Sequence, residues 1–344
     1  MNTRPPESPP RVEVAAAVLL RRDPDRFLLA CRPEDKVYAG YWEFPGGKIE
    51  AGETPPVALT RELQEELGVT LETASPWLRR DFDYPHARVR IHFLRVTKWQ
   101  GEIGVSAPVE HSALHWQTLD APCKLAPLLP ANLPILKALS LPVRMGITRT
   151  ETRGVPAELA RLEKAQQQGL RLIQMRDHAL APAQRQGFLH RLMETAKAYA
   201  SIVLLNENGD GASAELARVS GAHGLHLTAR ALAQTTARPD FPWVGASCHN
   251  AAELARAASL QLDYALLGPV LPTPSHPDTP ALGWSRFARL IADTPIPVFA
   301  LGGQNARTLS IAQTHGAHGI AGIRSEMTED GSAHGNDNDD SQYG

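Results

Sequence analysis

The sequence predicts a two-domain α/β protein, with a mixed sheet and helices in the N-terminal half and a (β/α)8 barrel in the C-terminal half. The chain has 344 residues, and at about 150 residues per domain this length favours two domains. In the N-terminal half, apolar runs with strand-like spacing surround one strongly amphipathic helix. In the C-terminal half, eight short apolar runs alternate with helical or turn segments, which is the strand count of such a barrel.

The strand patterns of the N-terminal half lie on both sides of a glycine loop. Two apolar runs are separated by a polar turn, and a third continues toward the loop. After the amphipathic helix, alternating apolar residues are typical of a half-buried strand, and a further apolar stretch precedes a short helix. This pattern predicts a mixed sheet with two helices packed on it. The predicted elements are residues 12–20, 26–31, 41–44, 81–98, the stretch around Leu114 and Trp116, and the helix 134–141.

The amphipathic helix follows the glycine loop at residues 46–53. Thr54 is placed as its N-cap, Pro55 in its first turn and Gly68 at its C-terminal end. Leucines recur at helical spacing and define the face that we expect to pack on the sheet. These leucines are Leu59, Leu63 and Leu67.

The polar side of the same helix carries three glutamates. Glu62, Glu65 and Glu66 stand at i, i+3 and i+4, so their carboxylates crowd one face, and Glu53 in the loop can join them. Carboxylates this close either take up protons or share a cation. A hard divalent ion that prefers oxygen ligands, Mg2+ or Mn2+, would satisfy them. The alternative is a solvated acidic helix face, which is the usual role of a glutamate run.

This stretch resembles a known family signature. The residues from Gly47 to Val69 fit every fixed position of the Nudix box, the signature of the Nudix hydrolases. Beyond the box, residues 11–140 resemble the MutT branch of that family, which hydrolyses oxidised guanine nucleoside triphosphates. The resemblance implies a Nudix α/β/α sandwich with a mixed sheet, and conversion of 8-oxo-dGTP to 8-oxo-dGMP and pyrophosphate. The segments that carry it are 31–32, 42–50, 61–66 and 129–132.

The resemblance also implies roles for individual residues. The predicted metal ligands are the Gly47 carbonyl, Glu62, Glu65, Glu66 and, in a distant loop, Glu110. The predicted catalytic residues are Glu62, Glu65, Arg61 and Glu53. The predicted substrate-binding residues are Arg32, Glu43, Lys48 and Asn132, the last placed to hold a purine. Alternatively, Asn132 caps the following helix, Arg32 is a surface arginine and Glu110 is an ordinary loop acid.

The candidate site of the barrel lies where its strands end, because sites of such barrels lie at the C-terminal ends of the strands. These positions resemble thiamine-phosphate synthase and its relative, the thiazole tautomerase TenI, most specifically in residues 267–273 and 300–303. The resemblance implies a phosphate site at the two glycines of the second segment and an acid-base histidine on the fifth strand. The predicted barrel-site residues are Gln174, Arg176, Asn206, Ser247, His249, Thr273, Gly302 and Gly303.

Four positions depart from the synthase pattern. Lysines expected in two places are His178 and His276. An aspartate expected beside Asn206 is Glu207, and the expected magnesium-binding aspartate falls on Ala231. Without two cations and a metal carboxylate, the barrel lacks much of what stabilises a departing pyrophosphate. We therefore expect a degenerate synthase-like barrel that is a scaffold, a ligand-binding module or a tautomerase.

Domain boundaries follow from changes of composition. Residues 1–10 are proline-rich and polar and are expected to be disordered, residues 11–140 form the Nudix domain, and residues 143–325 form the barrel. Residues 326–344 are an acidic tail that is also expected to be disordered. The barrel is therefore predicted to lack its last helix.

Composition argues against several function classes. The net charge is −2 without a basic run, so direct nucleic-acid binding is not expected. No apolar run approaches the ~18 residues of a membrane span, so no membrane association is expected. Cys31, Cys123 and Cys248 form no CxxC pair, which favours a reducing compartment and a cytoplasmic location. The oligomeric state stays open.

Three hypotheses for the function stay open at this stage. The first is a Mg2+- or Mn2+-dependent hydrolase of a nucleoside triphosphate, 8-oxo-dGTP, that cleans the nucleotide pool in support of DNA repair. The second is a Nudix hydrolase of a thiamine-related or other diphosphate. The third is a barrel that binds a thiazole or thiamine phosphate and regulates the hydrolase.

Overall fold

The computed structural model describes residues 11–22, 25–106, 110–119, 121–273 and 280–323. The segments predicted to be disordered, 1–10 and 326–344, lie outside these ranges, as do His276 and the region of the missing barrel helix. No helix within the described ranges is long and apolar enough to cross a membrane.

The first domain is built on a seven-stranded sheet. Its central strand order is β3-β2-β1-β6-β5, with β4 paired to β1 and β7 paired to β2. β1 and β6 run parallel, whereas the other pairs are antiparallel, so the sheet is mixed as predicted. The strands are β1 (Arg11–Arg21), β2 (Arg26–Cys31), β3 (Trp42–Glu43), β4 (Gly46–Lys48), β5 (Thr70–Tyr84), β6 (Ala87–Gln100) and β7 (Ala113–Thr118).

The alternation of side chains along β1 explains why helices cover both faces of this sheet. Ala15, Ala17 and Leu19 face one side, where they join the leucines of helix α1 (Pro55–Leu67) in a buried cluster. Ala16 and Val18 face the other side, where they join buried residues of helix α2 (Leu133–Leu139). The three leucines of α1 are fully buried. The predicted α/β/α sandwich is confirmed.

The segment that we predicted as one strand, 81–98, belongs to a long hairpin. β5 and β6 pair as antiparallel strands and the chain reverses at Pro85 and His86. The first strand of this hairpin was missed because its register shifts at Leu71/Thr73, Thr73/Ala74 and Pro76/Leu78. Each shift breaks the two-residue period by which a half-buried strand is recognised.

The second domain is a closed barrel of eight parallel strands, as predicted. Its strands are β8 (Arg144–Ile147), β9 (Leu172–Met175), β10 (Ile202–Glu207), β11 (Gly224–Leu227), β12 (Trp243–Cys248), β13 (Tyr264–Leu267), β14 (Val298–Leu301) and β15 (Gly319–Gly322). The outer helices are α3 (Thr150–Arg153), α4 (Val155–Gln167), α5 (Pro182–Ala198), α6 (Ala212–Ser220), α7 (Ala229–Gln234), α8 (Ala251–Ser259), α9 (Trp284–Ile291) and α10 (Leu309–Thr314).

A buried arginine joins the two domains. Arg95 on β6 is 6% exposed, and its guanidinium donates to the carbonyl oxygens of Ala317 at 2.9 Å and His318 at 3.0 Å, and to His318 Nδ1 at 2.9 Å. The Trp77 ring lies 4.3 Å from the same guanidinium. His318 Nε2 donates to the Leu141 carbonyl at 2.8 Å. Every polar atom of the His318 ring is therefore used at the interface.

Further polar contacts show which end of the barrel meets the first domain. Arg80 donates to the Pro295 carbonyl at 2.8 Å, and Lys137 Nζ pairs with Asp263 Oδ1 at 2.5 Å. Asp263, Pro295 and His318 all lie just before barrel strands begin. The first domain therefore covers the N-terminal end of the barrel.

Lowering the pH is expected to destabilise this interface. Burial and the neighbouring Arg95 guanidinium hold the pKa of His318 well below its usual value of about 6.5, because a proton on Nδ1 would face the arginine donor. The unfolded chain takes up this proton near its ordinary pKa, whereas the folded chain does so only at lower pH. The free energy of unfolding should therefore fall below about pH 6.5, by about 1.4 kcal/mol per pH unit from this group.

Urea unfolding between about pH 7 and 5 measures that slope. His318→Gln should reduce it, because glutamine can accept from Arg95 and donate to Leu141 without titrating. The matched control is His190→Gln on α5, where the side chain is 74% exposed and the slope should stay that of the wild type. An unchanged slope in His318→Gln would contradict the assignment.

Candidate active site and barrel cavity

The glycine loop places its backbone directly beside two helix glutamates. β4 pairs with β1, with Gly47 opposite Ala15, and the Gly46 N–H donates to Glu66 Oε2 at 3.0 Å. A Cβ on Gly47 would lie 2.3 Å from the carboxylate carbon of Glu62, so a larger residue here would push that carboxylate away from the loop. The predicted ligands Gly47, Glu62 and Glu66 are thus brought together.

Arg61 connects the glutamates of the loop and the helix. Its Nε and Nη2 donate to the two Glu53 carboxylate oxygens, both at 3.0 Å, and its Nη1 donates to Glu62 Oε1 at 2.9 Å. Nη2 also donates to the Lys48 carbonyl at 3.1 Å, while the Lys48 side chain is exposed. Glu65 Oε2 lies 3.7 Å from Nη1, and that side chain is 61% exposed. Glu65 therefore lies at the solvent edge of the cluster.

The two carboxylates held by Arg61 differ in acidity. Burial raises the pKa of Glu62 above its usual value, against the opposing effect of Arg61 and with a contribution from the Glu66 charge. Hydrogen bonds from Arg61 and from a backbone N–H lower the pKa of Glu53. Glu62 is therefore the better proton acceptor, and Glu53 is the more persistent anion.

Glu66 is the most buried of the helix glutamates, at 4% exposed. His111 Nε2 lies 3.1 Å from Glu66 Oε2, and the histidine is only 2% exposed. Within the part of the chain that the structure describes, neither ring nitrogen of His111 has a partner in hydrogen-bond geometry. A single loop position gives no burial signal, so this contact was not predicted.

The donor set of the cluster fits a divalent cation. The Glu62 and Glu66 carboxylates and the Gly47 carbonyl are oxygen donors, and a cation would stabilise the anionic Glu62 that burial disfavours. The described ranges hold no preformed group of three or more His, Cys, Asp or Glu side chains around one metal position. Glu110, the predicted distant ligand, pairs with Lys36 Nζ at 3.0 Å, and its role as a ligand stays a prediction.

A second group of polar side chains, partly buried except for the buried Asn132, lies around β3. Arg32 Nη1 donates to both Glu43 oxygens at 2.8 Å, and burial raises the pKa of Glu43 although Arg32 opposes the shift. Asn132 is 4% exposed, and its Nδ2 has no hydrogen-bond partner among the described residues. Asn132 occupies the N-cap position of α2, as the capping alternative has it, but its side chain makes no cap hydrogen bond. Tyr84, which sequence reasoning missed, lies beside this group, and burial raises its pKa to about 12.

A cavity of about 530 Å³ opens at the C-terminal ends of the barrel strands. The glycine pair on its wall has positive φ angles, 91° at Gly302 and 67° at Gly303. A Cβ on Gly303 would lie 2.6 Å from Leu271 Cβ, so this turn requires glycine. The cavity is lined by all eight predicted barrel-site residues: Gln174, Arg176, Asn206, Ser247, His249, Thr273, Gly302 and Gly303.

Buried residues behind the cavity fix one of its charged groups. Asp177, at 2% exposed, accepts from the hydroxyls of Thr148 and Thr150 and from the Thr150 N–H at 2.5 Å. Thr148 Oγ1 in turn accepts from the Arg176 N–H at 2.9 Å. The backbone that carries Arg176 is therefore held in place. Asp177 and the two threonines come from different strand ends, so sequence spacing did not reveal them.

The departures from the synthase pattern have structural roles of their own. His178 Nε2 lies 2.8 Å from Asn206 Oδ1. Glu207 is 5% exposed, and its carboxylate accepts N–H groups from the following loop and the first turn of α6. Ala231 is buried in α7. His178 and Glu207 therefore stabilise the rim, and His178 and Ala231 do not carry the groups expected for a synthase.

Family models divide the chain where the fold does. The NUDIX domain model matches residues 11–139, and the thiamine monophosphate synthase model matches residues 145–325. The chain belongs to the Nudix hydrolases and to the thiamine monophosphate synthase family. The predicted families, the predicted fold class and the predicted enzyme class, a Nudix hydrolase, are thereby confirmed. Nudix hydrolases of the MutT type generally need a divalent metal ion such as Mg2+.

Relatives of both halves are known. The Nudix domain is 38% identical over 93 residues to 8-oxo-dGTP diphosphatase of Proteus vulgaris, covering 27% of this chain and 82% of the relative. It is 35% identical over 127 residues to CTP pyrophosphohydrolase of Escherichia coli, covering 37% of this chain and 90% of the relative. The barrel region is 32% identical over 197 residues to thiamine-phosphate synthase of Mycobacterium bovis, covering 53% of this chain and 86% of the relative.

Proposed function

We propose that the Nudix domain hydrolyses 8-oxo-dGTP to 8-oxo-dGMP and pyrophosphate with Mg2+ or Mn2+, in the cytoplasm, as part of nucleotide-pool cleaning. The observation that supports the proposal is the buried, unpartnered amide of Asn132, in a segment that hydrogen-bonds to β3, the strand that carries Glu43. Glu43 and the unpartnered amide of Asn132 can read a purine edge, and the pKa of Glu43, raised mainly by burial, is raised further by the nearby Glu66 carboxylate. The base and the polyphosphate would therefore occupy adjoining sites.

The chain's own residues divide the work of the reaction. Arg61 holds Glu53 and Glu62 in fixed positions. Glu62, whose carboxylate Arg61 holds beside Gly47, is the candidate to take the proton of the attacking water. Glu62, Glu66 and the Gly47 carbonyl would hold the metal ion, with Glu65 at the solvent edge. When bound, the metal ion neutralises phosphate oxygens and lowers the pKa of the attacking water.

Substrate profiling of the full chain tests this proposal. We expect the highest kcat/KM for 8-oxo-dGTP in a panel with dGTP, CTP, ADP-ribose and thiamine diphosphate. The CTP and thiamine diphosphate arms address the relative that acts on CTP and the alternative of a thiamine-related substrate. A preference for either of these over 8-oxo-dGTP would reject the proposal.

Asn132→Ala is expected to change base preference. If the amide binds the purine, its loss should reduce kcat/KM for 8-oxo-dGTP by about 1 to 3 kcal/mol of transition-state stabilisation and leave CTP nearly unaffected. Parallel kinetics with the two nucleotides measure the difference. The control is Gln64→Ala, an exposed amide on α1. Equal losses with both nucleotides would show that Asn132 has a structural role.

The cavity supports a second function for the barrel, the binding of a phosphorylated thiazole or thiamine compound. Gly302, Gly303 and Arg176 provide N–H groups and positive charge for a phosphate, and His249 lines the same cavity. A histidine at this place could move protons, as in a tautomerase. Binding a monophosphate requires less than condensation, which must also stabilise a leaving pyrophosphate.

The barrel is expected not to make thiamine phosphate, because His178 and Ala231 occupy the places of a lysine and a metal-binding aspartate. Complementation of a bacterial strain that lacks thiamine-phosphate synthase measures this activity. We expect no growth with the full chain, and growth would overturn the loss of synthase chemistry. Calorimetric titration of the full chain with thiazole phosphate then tests binding, and no heat at millimolar ligand would leave the barrel as a scaffold.

A further inference from the structure

Two buried side chains lie behind Ser247, and neither proposed reaction uses them. His226 and Tyr264 are both 0% exposed. The Tyr264 hydroxyl lies 2.8 Å from His226 Nδ1, and His226 Nε2 lies 2.8 Å from Ser247 Oγ. The three groups form a chain of hydrogen bonds from the barrel interior to the cavity wall.

The direction of donation along these hydrogen bonds follows from the number of hydrogens that the three groups carry. Burial raises the pKa of Tyr264 well above its usual value and lowers the pKa of His226 to about 3, so both groups are neutral at physiological pH. A neutral imidazole has one N–H, so its two nitrogens have opposite roles. If Tyr264 donates to Nδ1, Nε2–H donates to Ser247, and the serine hydrogen is left for the cavity. The reverse order would leave a buried phenol hydrogen without its partner.

Two neighbouring amides on the cavity wall also present hydrogen-bond donors. Gln174 is 2% exposed, and its Nε2 has no hydrogen-bond partner within the described ranges. Asn206 Oδ1 is occupied by His178 Nε2, which must donate to an amide oxygen. The nitrogen of Asn206 is therefore the part of the amide that a ligand can use. Donors consequently predominate on this wall.

We propose that Tyr264 and His226 are positioning residues that fix Ser247 as a hydrogen-bond donor. With Gln174 and Asn206, the serine forms an array of donors that selects a ligand group with lone pairs and no hydrogen, such as a ring nitrogen or a carbonyl oxygen. The inference deepens the proposed ligand-binding role of the barrel. It specifies which ligand group can face this wall: a hydrogen-bond acceptor binds there, whereas an N–H or O–H group would meet other donors.

Nitrogen NMR of the full chain, labelled with nitrogen-15 in its histidine rings, tests the direction without any ligand. The signals of His226, assigned by their loss in His226→Gln, should show a protonated Nε2 and an unprotonated Nδ1. Tyr264→Phe should increase the population with the proton on Nδ1, because the phenol donor is gone. Tyr199→Phe, remote in sequence at the end of α5, is the matched control. A protonated Nδ1 in the wild type would overturn the proposal.

Calorimetry with thiazole phosphate as the probe links the direction to binding. We expect Ser247→Ala and Tyr264→Phe each to weaken binding about three- to tenfold, and the double variant to bind no more weakly than Ser247→Ala alone. If the two substitutions weakened binding additively in the double variant, Tyr264 would not act through Ser247. No binding by the wild type would reject the proposed barrel ligand, whereas the NMR result would still decide the role of Tyr264 and His226.

Discussion

Glu66→Gln is expected to reduce kcat for 8-oxo-dGTP hydrolysis by about 100-fold or more, which is about 2.7 kcal/mol of activation free energy. The substitution keeps the volume of the side chain and removes an anionic oxygen that is 4% exposed and adjoins the Gly46 N–H. Glu65→Gln should reduce kcat by at least about tenfold. We expect a smaller loss than for Glu66→Gln because the Glu65 carboxylate lies at the solvent edge. Initial rates at saturating Mg2+ measure both effects.

The control is Glu72→Gln, an exposed glutamate on β5 whose partner is the Gln100 amide. It makes the same chemical change outside the cluster and should leave kcat unchanged. Binding of Mn2+, followed by its paramagnetic resonance signal, should weaken in Glu66→Gln and not in the control. Retention of more than about a tenth of kcat by Glu66→Gln would refute its assignment as a metal ligand.

Arg95→Ala is expected to lower the free energy of unfolding by about 3 to 5 kcal/mol. The alanine would leave the carbonyl oxygens of Ala317 and His318 and the Nδ1 of His318 without a donor in a buried interface. It would also remove the guanidinium from the Trp77 ring. Urea unfolding followed by tryptophan fluorescence measures the loss, and Trp77 at the interface is one of the six tryptophans that contribute to the signal.

Arg88→Ala on the same strand is the matched control. Arg88 pairs with Asp83 at 3.2 Å, and the two side chains are 37% and 70% exposed. An exposed pair of this kind contributes at most about 1 kcal/mol, so the control should unfold almost as the wild type does. Equal losses in the two variants would mean that Arg95 does not join the domains.

The parts of the fold that sequence predicts are those whose signals are local. The barrel strands were found because strands buried on both faces form continuous apolar runs. The acidic cluster was found because helical spacing alone places Glu62 near Glu66. β5 was missed because its bulges interrupt the period of two.

Contacts between distant parts of the chain gave no such signal. Arg95 and Ala317 are separated by 222 residues, and an arginine in a strand is ordinarily exposed. The same limit applies to His111 beside Glu66 and to Tyr264 behind His226. In each case the partner is brought close only by the completed fold.

The attachment of the Nudix domain to the N-terminal end of the barrel determines how a small molecule can move between the two domains. The cavity opens at the other end, so the body of the barrel stands between its mouth and the attached domain. Within the described residues, the way from this mouth to the acidic cluster of the Nudix domain runs around the outside of the barrel. The fusion therefore keeps the two domains in equal amounts, and a molecule released by one domain would reach the other through solvent.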